Sequence, residues 1–179
     1  GAERTVASLT IVGRAGERQV LRRSGASDGD GFWATGTFGR SFSTGHHLDF
    51  APRIEEGRWL AEQGLAKAMI DVSDGLLIDA GRLCRASGAG LLLDTGAVPR
   101  RNADTSLEEA LTDGEDYELL FAVPKEKEER LRRAWPFRQI PLTRLGEFRS
   151  APSPGVFDLG GKPLAFEGRI GWDHFKRSD

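Results

Sequence analysis

Apolar residues in this chain gather in short runs divided by glycine-rich or charged joints. Val6–Val12 (VASLTIV) is β-rich with partial alternation and predicts a strand close to residue 1. Phe32–Thr35 predicts a second strand after the turn-rich GASDGDG, and a polar, glycine-rich loop follows through His47. Pro52 opens a helical stretch, PRIEEGRWLAEQG, with Ile54, Trp59 and Leu60 on its apolar side and Gly64 as its stop. Ala68–Val72 (AMIDV) reads as a strand that Ser73-Asp74-Gly75 turns directly into the helix LLIDAGRLCRAS. Leu76, Ala80, Leu83 and Ser87 share one face of that helix, beside Leu77 and Cys84. Gly88 ends it, and Gly90–Asp94 begins the next strand, a strand–turn–helix–strand unit with short connections.

Ser106 opens a short helix with a capping box, because Glu109 follows three residues later. Tyr117–Val123 (YELLFAV) predicts a strand, and Pro124 starts a charged helix anchored by Leu131 and Trp135. Leu142–Phe148 and Val156–Leu159 predict short strands, and a Gly160-Gly161 turn leads to Pro163–Phe166. The tail GRIGWDHFKRSD is rich in aromatics, so Trp172 and Phe175 must pack or bind something. Strands and helices mix without strict alternation. That pattern predicts an α+β domain, a mostly antiparallel mixed sheet covered by helices on one face.

Composition narrows the function classes. Hydrophobic residues make up 39% and charged residues 29% of the 179, the balance of a globular domain with its own core. The formal net charge of −2 offers no electrostatic footprint for nucleic acid or an anionic membrane. No apolar run approaches the roughly 20 residues that span a bilayer. The single cysteine, Cys84, permits no intrachain disulfide, which fits a cytoplasmic location. The 23 glycines are not periodic and sit mostly at joints, where backbone can approach a ligand closely.

Three stretches carry candidate chemistry. In Asp71-Val72-Ser73-Asp74-Gly75, two carboxylates at a strand end suit a hard cation such as Mg²⁺, and the N–H groups of the helix start suit a phosphate. The plainer reading is that Ser73 or Asp74 caps the helix. Asp113-Gly114-Glu115-Asp116-Tyr117-Glu118 places four acids just before a strand. It is either a solvated turn or a cation-binding loop. An arginine in Arg22-Arg23-Ser24-Gly25 is able to clamp a phosphate, although surface arginines are common. His46 and His47 are adjacent, point apart, and lack a third nitrogen or sulfur ligand for zinc. P-loop, nucleophile-elbow and dinucleotide fingerprints do not occur.

In order, RRSG, ATGTFG, AMIDVSDGLLIDAGRLCRASGAG, ALTDGEDYELLFAVP and GWDHF resemble the C-terminal part of the thiamine-monophosphate kinase family. That family belongs to the superfamily of aminoimidazole ribonucleotide synthetase and selenophosphate synthetase. The resemblance runs from about residue 6 to residue 175. It implies direct transfer of the ATP γ-phosphate onto thiamine monophosphate with Mg²⁺ bridging the phosphates. By the same likeness, Asp71 and Asp74 are metal ligands, Arg23 and Ser73 touch ATP, and Glu115 and Trp172 contact the thiamine moiety. A carboxylate and an aromatic ring both suit a thiazolium cation. Where the family has Gly-Gly-Glu-Asp this chain has Asp113-Gly114-Glu115-Asp116, and ATGTFG continues into an unusual RSFSTGHHLDFAPR.

The resemblance also implies a domain plan. Residues 1–16 would be a remnant strand of an N-terminal domain, and residues 17–179 the C-terminal nucleotide- and substrate-binding domain. The family's N-terminal half carries further aspartates and most of a homodimer interface. On this likeness the present chain alone is a C-terminal portion that does not catalyse. A stand-alone nucleotide- or thiamine-phosphate-binding module, another member of the ATP-using superfamily, and a structural remnant without ligand remain the competing readings.

Overall fold

The computed structural model describes residues 8–12 and 20–164. A six-stranded sheet forms the centre. In chain order its strands are β1 (Gly31–Thr35), β2 (Ala68–Asp71), β3 (Gly90–Leu93), β4 (Leu119–Val123), β5 (Leu142–Arg149) and β6 (Gly155–Phe157). In space they run β2-β4-β1-β5-β3-β6, with every pairing antiparallel except β3 with β6. The helices are α1 (Ser41–Thr44), α2 (His46–Asp49), α3 (Ile54–Glu62), α4 (Leu76–Ser87), α5 (Leu107–Thr112) and α6 (Glu128–Ala134).

The interior strands are legible as continuous apolar runs because both of their faces are covered. Every residue of β1 (GFWAT) and of β4 (LLFAV) is buried. Successive β4 side chains point into two different cores. Leu120 and Ala122 join Phe32, Ala34 and Ile70 under α4 and α5, which contribute Leu76, Ala80, Leu83, Ala110 and Leu111. Leu119, Phe121 and Val123 join Trp33 on the opposite side, with Leu60 of α3 and Leu131 of α6. The α+β class and its mostly antiparallel mixed sheet are therefore as expected. The helical cover reaches beyond the single expected face, since α3 and α6 close the second one. Leu60 and Leu131 are the buried apolar residues of these charged helices, and Trp59 and Trp135 pack in the same layer.

Four local expectations change. Residues 8–12 have no regular structure, and Leu9, Ile11 and Val12 are 85, 83 and 92% exposed. A strand needs a ladder partner, and among the described residues this segment has none. Residues 6 and 7 of the predicted strand lie outside the described residues. The loop through His47 contains two single-turn helices, α1 and α2, joined by Gly45. They carry no helical apolar period, and Phe42 and Leu48 are exposed, so tertiary hydrogen bonds hold them. Ile54 is exposed at the start of α3, whose buried residues are Glu56 and Leu60. The strand expected from Tyr117 begins at Leu119, because Tyr117 is left-handed, with φ 53°. Pro163 pairs with Phe157 as expected for a hairpin. Residues 165–179, Trp172 among them, lie outside the described residues.

Candidate functional site

Three joints that are far apart in sequence meet at one end of the sheet. The bend after β2 lies directly against the loop between α5 and β4. Val72 N–H donates to the Glu118 carbonyl (2.9 Å), Tyr117 N–H to the Val72 carbonyl (2.8 Å), and Glu115 N–H to the Ser73 carbonyl (2.8 Å). Contact this close requires glycine on both sides. A Cβ on Gly75 would stand 2.8 Å from the Thr112 carbonyl, and one on Gly114 would stand 2.5 Å from the Ser73 carbonyl. The third joint follows β1. Gly39 N–H donates to both Asp116 carboxylate oxygens (3.1 and 3.2 Å), Arg40 N–H to Asp113 (2.7 Å), and the Ser41 hydroxyl to the Glu115 carbonyl (2.5 Å). The resembling motifs ATGTFG, DVSDG and DGEDYE thus form one hydrogen-bonded unit.

The acids named from the sequence divide by environment. Asp71 ends β2 opposite Leu119, and its exposed side chain makes no hydrogen bond or ion pair among the described residues. Asp74 forms an ion pair with Arg82, which also holds the fully buried Asp79 at 2.6 Å. Neither Ser73 nor Asp74 caps α4. The N-cap position is Gly75, without a side-chain cap, and Asp79 reaches back to accept the N–H groups of Ser73 and Asp74, both at 3.0 Å. The bend is therefore braced from inside the helix. The start of α4 carries no side-chain cap, and Gly75, Leu76 and Leu77 there are buried. Burial pushes the Asp79 carboxyl up, against the Asp74 N–H and Arg82, which pull it down.

Tyr117 reports how near the acids stand to one another. Its phenol is pushed up first by burial and then by the negative fields of Glu115, Asp71 and Asp74. One hydroxyl senses all three carboxylates, so the bend and the loop share a neighbourhood. The ring stacks on Phe50 with centroids 4.1 Å apart.

Beneath these acids lie two buried ion pairs that the sequence did not single out. Arg53 grips Glu118 in bidentate fashion at 2.7 and 2.7 Å, and the Thr35 hydroxyl adds a third bond at 2.7 Å. Arg101 holds Asp116 at 2.6 Å. Burial pushes the Asp116 carboxyl up to about 7, against the pull of Arg101 and the Gly39 N–H. His46 lies beside this pair, one ring nitrogen 3.2 Å from the Asp116 carbonyl, and its pKa is lowered by burial and then by Arg101. Glu115 and Tyr117 flank Asp116 in left-handed conformations, φ 63° and 53°. For residues other than glycine each costs about 1–3 kcal/mol and persists only where surrounding bonds over-determine it. Arg53 and Arg101 come from loops without a motif. Their only signal in the sequence is a surplus of acids that needs buried partners.

The remaining named residues lie elsewhere. Arg23 accepts a hydrogen bond from the Ser87 hydroxyl through its carbonyl, at 3.3 Å, and its side chain is exposed. Ser87 ends α4, so about 18 Å of helix separates Arg23 from the bend. The described residues bring Asp71, Ser73, Asp74 and Glu115 together and leave Arg23 at the far end of α4. Among the described residues no group of three His, Cys, Asp or Glu side chains is close enough to hold a metal by itself. Magnesium does not require one, because it keeps waters and takes one or two carboxylates together with substrate phosphates. The unpartnered Asp71 and the half-engaged Asp74 fit that donor set.

Residues 13–158 match the AIR synthase related protein family, C-terminal domain. The thiamine-monophosphate kinase of Salmonella typhimurium is 35% identical over 94% of this chain and 59% of its own length. Among solved structures, the thiamine-monophosphate kinase from Stenotrophomonas maltophilia superposes with a TM-score of 0.70 and 28% identity, covering 84% of this chain and 56% of that one. AaThiL complexed with AMPPCP and TMP gives a TM-score of 0.65 and 27% identity, covering 87% and 54%. The chain spans about 59% of the curated relative's length.

Proposed function

The chain belongs to the AIR synthase related protein family as its C-terminal domain, and from that premise we propose that it is the C-terminal portion of an ATP-dependent kinase that converts thiamine monophosphate to thiamine diphosphate. The observation that carries this reading is the direct hydrogen bonding of the Ser73 bend to the Glu115 loop. It gives nucleotide-side and substrate-side acids a common neighbourhood, as direct transfer between two bound phosphates requires. The curated thiamine-monophosphate kinase relative and the AaThiL complex with AMPPCP and TMP support the choice of substrates.

Asp71 and Asp74 would hold magnesium, which when bound neutralises the phosphates and the charge that develops during transfer. Ser73 and the uncapped start of α4 receive the nucleotide's phosphates, where the helix dipole favours negative charge. Arg23 contributes to ATP binding from the far end of α4. Glu115 and Trp172 take the cationic thiamine, one by charge and the other by its ring face. The longer enzyme is a homodimer in the cytoplasm. The 179-residue chain alone does not turn over ATP.

The test compares the longer polypeptide with this chain alone. ADP release that depends on thiamine monophosphate, present in the former and absent in the latter, is the expected result. ATP consumption by the longer enzyme that is indifferent to thiamine monophosphate would reject the substrate.

A further inference from the structure

Arg101 lies in the segment between β3 and α5, outside every motif that carries the resemblance, yet it touches two of the three joints. Its Nε donates to the Gly39 carbonyl at 2.9 Å. Its Nη2 donates to the Thr37 carbonyl at 3.3 Å and to the Asp116 carboxylate at 2.6 Å. Asp116 in turn takes the Gly39 N–H, so the guanidinium and the carboxylate close a ring around the end of the ATGTFG loop. Asp116 is 1% exposed and sits between the two left-handed residues Glu115 and Tyr117. A planar fork with several donors satisfies three acceptors in fixed directions, which a lysine does not reproduce.

We propose that Arg101 and Asp116 together are positioning residues that lock Glu115 in its left-handed conformation, and so aim the carboxylate that meets the cationic substrate. The proposal rests on the kinase reading only for the identity of that substrate. Among the described residues, Glu115 is otherwise pinned only through its own backbone, by the Ser73 carbonyl and the Ser41 hydroxyl. Without the clamp, the Ser41 segment loses the Gly39–Asp116 anchor and keeps the Arg40–Asp113 bond, and Glu115 is free to relax to an ordinary backbone conformation. Its N–H bond to Ser73 and its side-chain direction then go together.

Two measurements test this. In the 179-residue chain, amide hydrogen exchange by NMR is followed in Arg101→Ala and Arg101→Lys. Protection at Gly39, Glu115 and Tyr117 is expected to fall in both, with Leu120 and Ala122 of β4 unchanged. Unaltered protection at Glu115 in a folded variant overturns the clamp. Should Arg101→Ala fail to fold, Arg101→Lys keeps the charge and decides the matter by the same criterion. In the longer enzyme, Arg101→Lys is expected to raise the KM for thiamine monophosphate about tenfold, with the KM for ATP changed by less than about twofold. An equal rise in both constants overturns the positioning role. If the parent enzyme shows no turnover with thiamine monophosphate, the substrate reading fails, while the exchange data still decide the clamp.

Discussion

Asp74 and Asp116 are both carboxylates at the same end of the sheet, and their surroundings give them opposite duties. Asp74 is partly open to solvent and shares Arg82 with Asp79, so its ion pair contributes little to stability. Asn in its place keeps the shape and loses the charge. In the longer enzyme, Asp74→Asn should lower kcat by about tenfold or more while shifting Tm by less than about 2 °C. Turnover kinetics and a thermal melt check this, and unchanged turnover would leave Asp74 as a partner of Arg82 and nothing more. Asp116 is buried, and its folded value of about 7 stands above the ordinary 3.8. The native state therefore holds a proton that the unfolded chain has released. This group's contribution to stability is complete below the unfolded value and is lost as pH rises toward 7. Arg101 and the Gly39 N–H favour the charged Asp116 and the Asp113 carboxylate disfavours it, and all three neighbours are present in both parent and variant. Asp116→Asn removes the slope, so urea unfolding from about pH 5 to pH 7.5 should move the comparison in the variant's favour as pH rises.

At the scale of elements, the site is set by how two helices begin. Helix α4 has no side-chain cap of its own, and Asp79 braces the bend from within. Helix α5 does the reverse. Ser106 accepts the Glu109 N–H at 3.1 Å, and Glu109 accepts the Ser106 N–H at 2.7 Å, closing the predicted capping box. The helix is six residues long, and its C-cap residue Asp113 accepts the Arg40 N–H. Ser106→Ala should cost about 1 kcal/mol, or about 2–4 °C in Tm for a domain of this size. A melt that does not move would mean that packing of Ala110 and Leu111 alone holds α5. Where helices form without period or cap, as in α1 and α2, the cause is the acidic loop they dock against.

The whole molecule is a sheet between two separate apolar layers. Ile70 belongs to the layer under α4 and α5, Leu131 to the layer under α3 and α6. Ile70→Val should cost about 0.5–1.5 kcal/mol and Leu131→Ala about 2–5 kcal/mol. Because the sheet divides them, the double variant should give the sum to within about 0.5 kcal/mol by denaturant unfolding. A large coupling would mean that the two layers act as one. The sequence by itself determined the strands β1 to β5, the span of α4 and the capping box of α5, and it named Asp71, Asp74 and Glu115 as candidates. Each of these is written in local terms: apolar runs, side chains at fixed helical spacing, glycine at turns. The tertiary structure alone decided that α3 and α6 close the second face, that Asp79 rather than Ser73 or Asp74 braces the bend, and that Arg53 and Arg101 neutralise the buried acids. The two charge pairings join residues from separate elements, 65 positions apart for Arg53 and Glu118 and 15 apart for Arg101 and Asp116. No local pattern encodes which distant charge a buried carboxylate will meet. Only the folded chain sets that pairing, because burying the acid without its partner costs more than the surrounding packing returns.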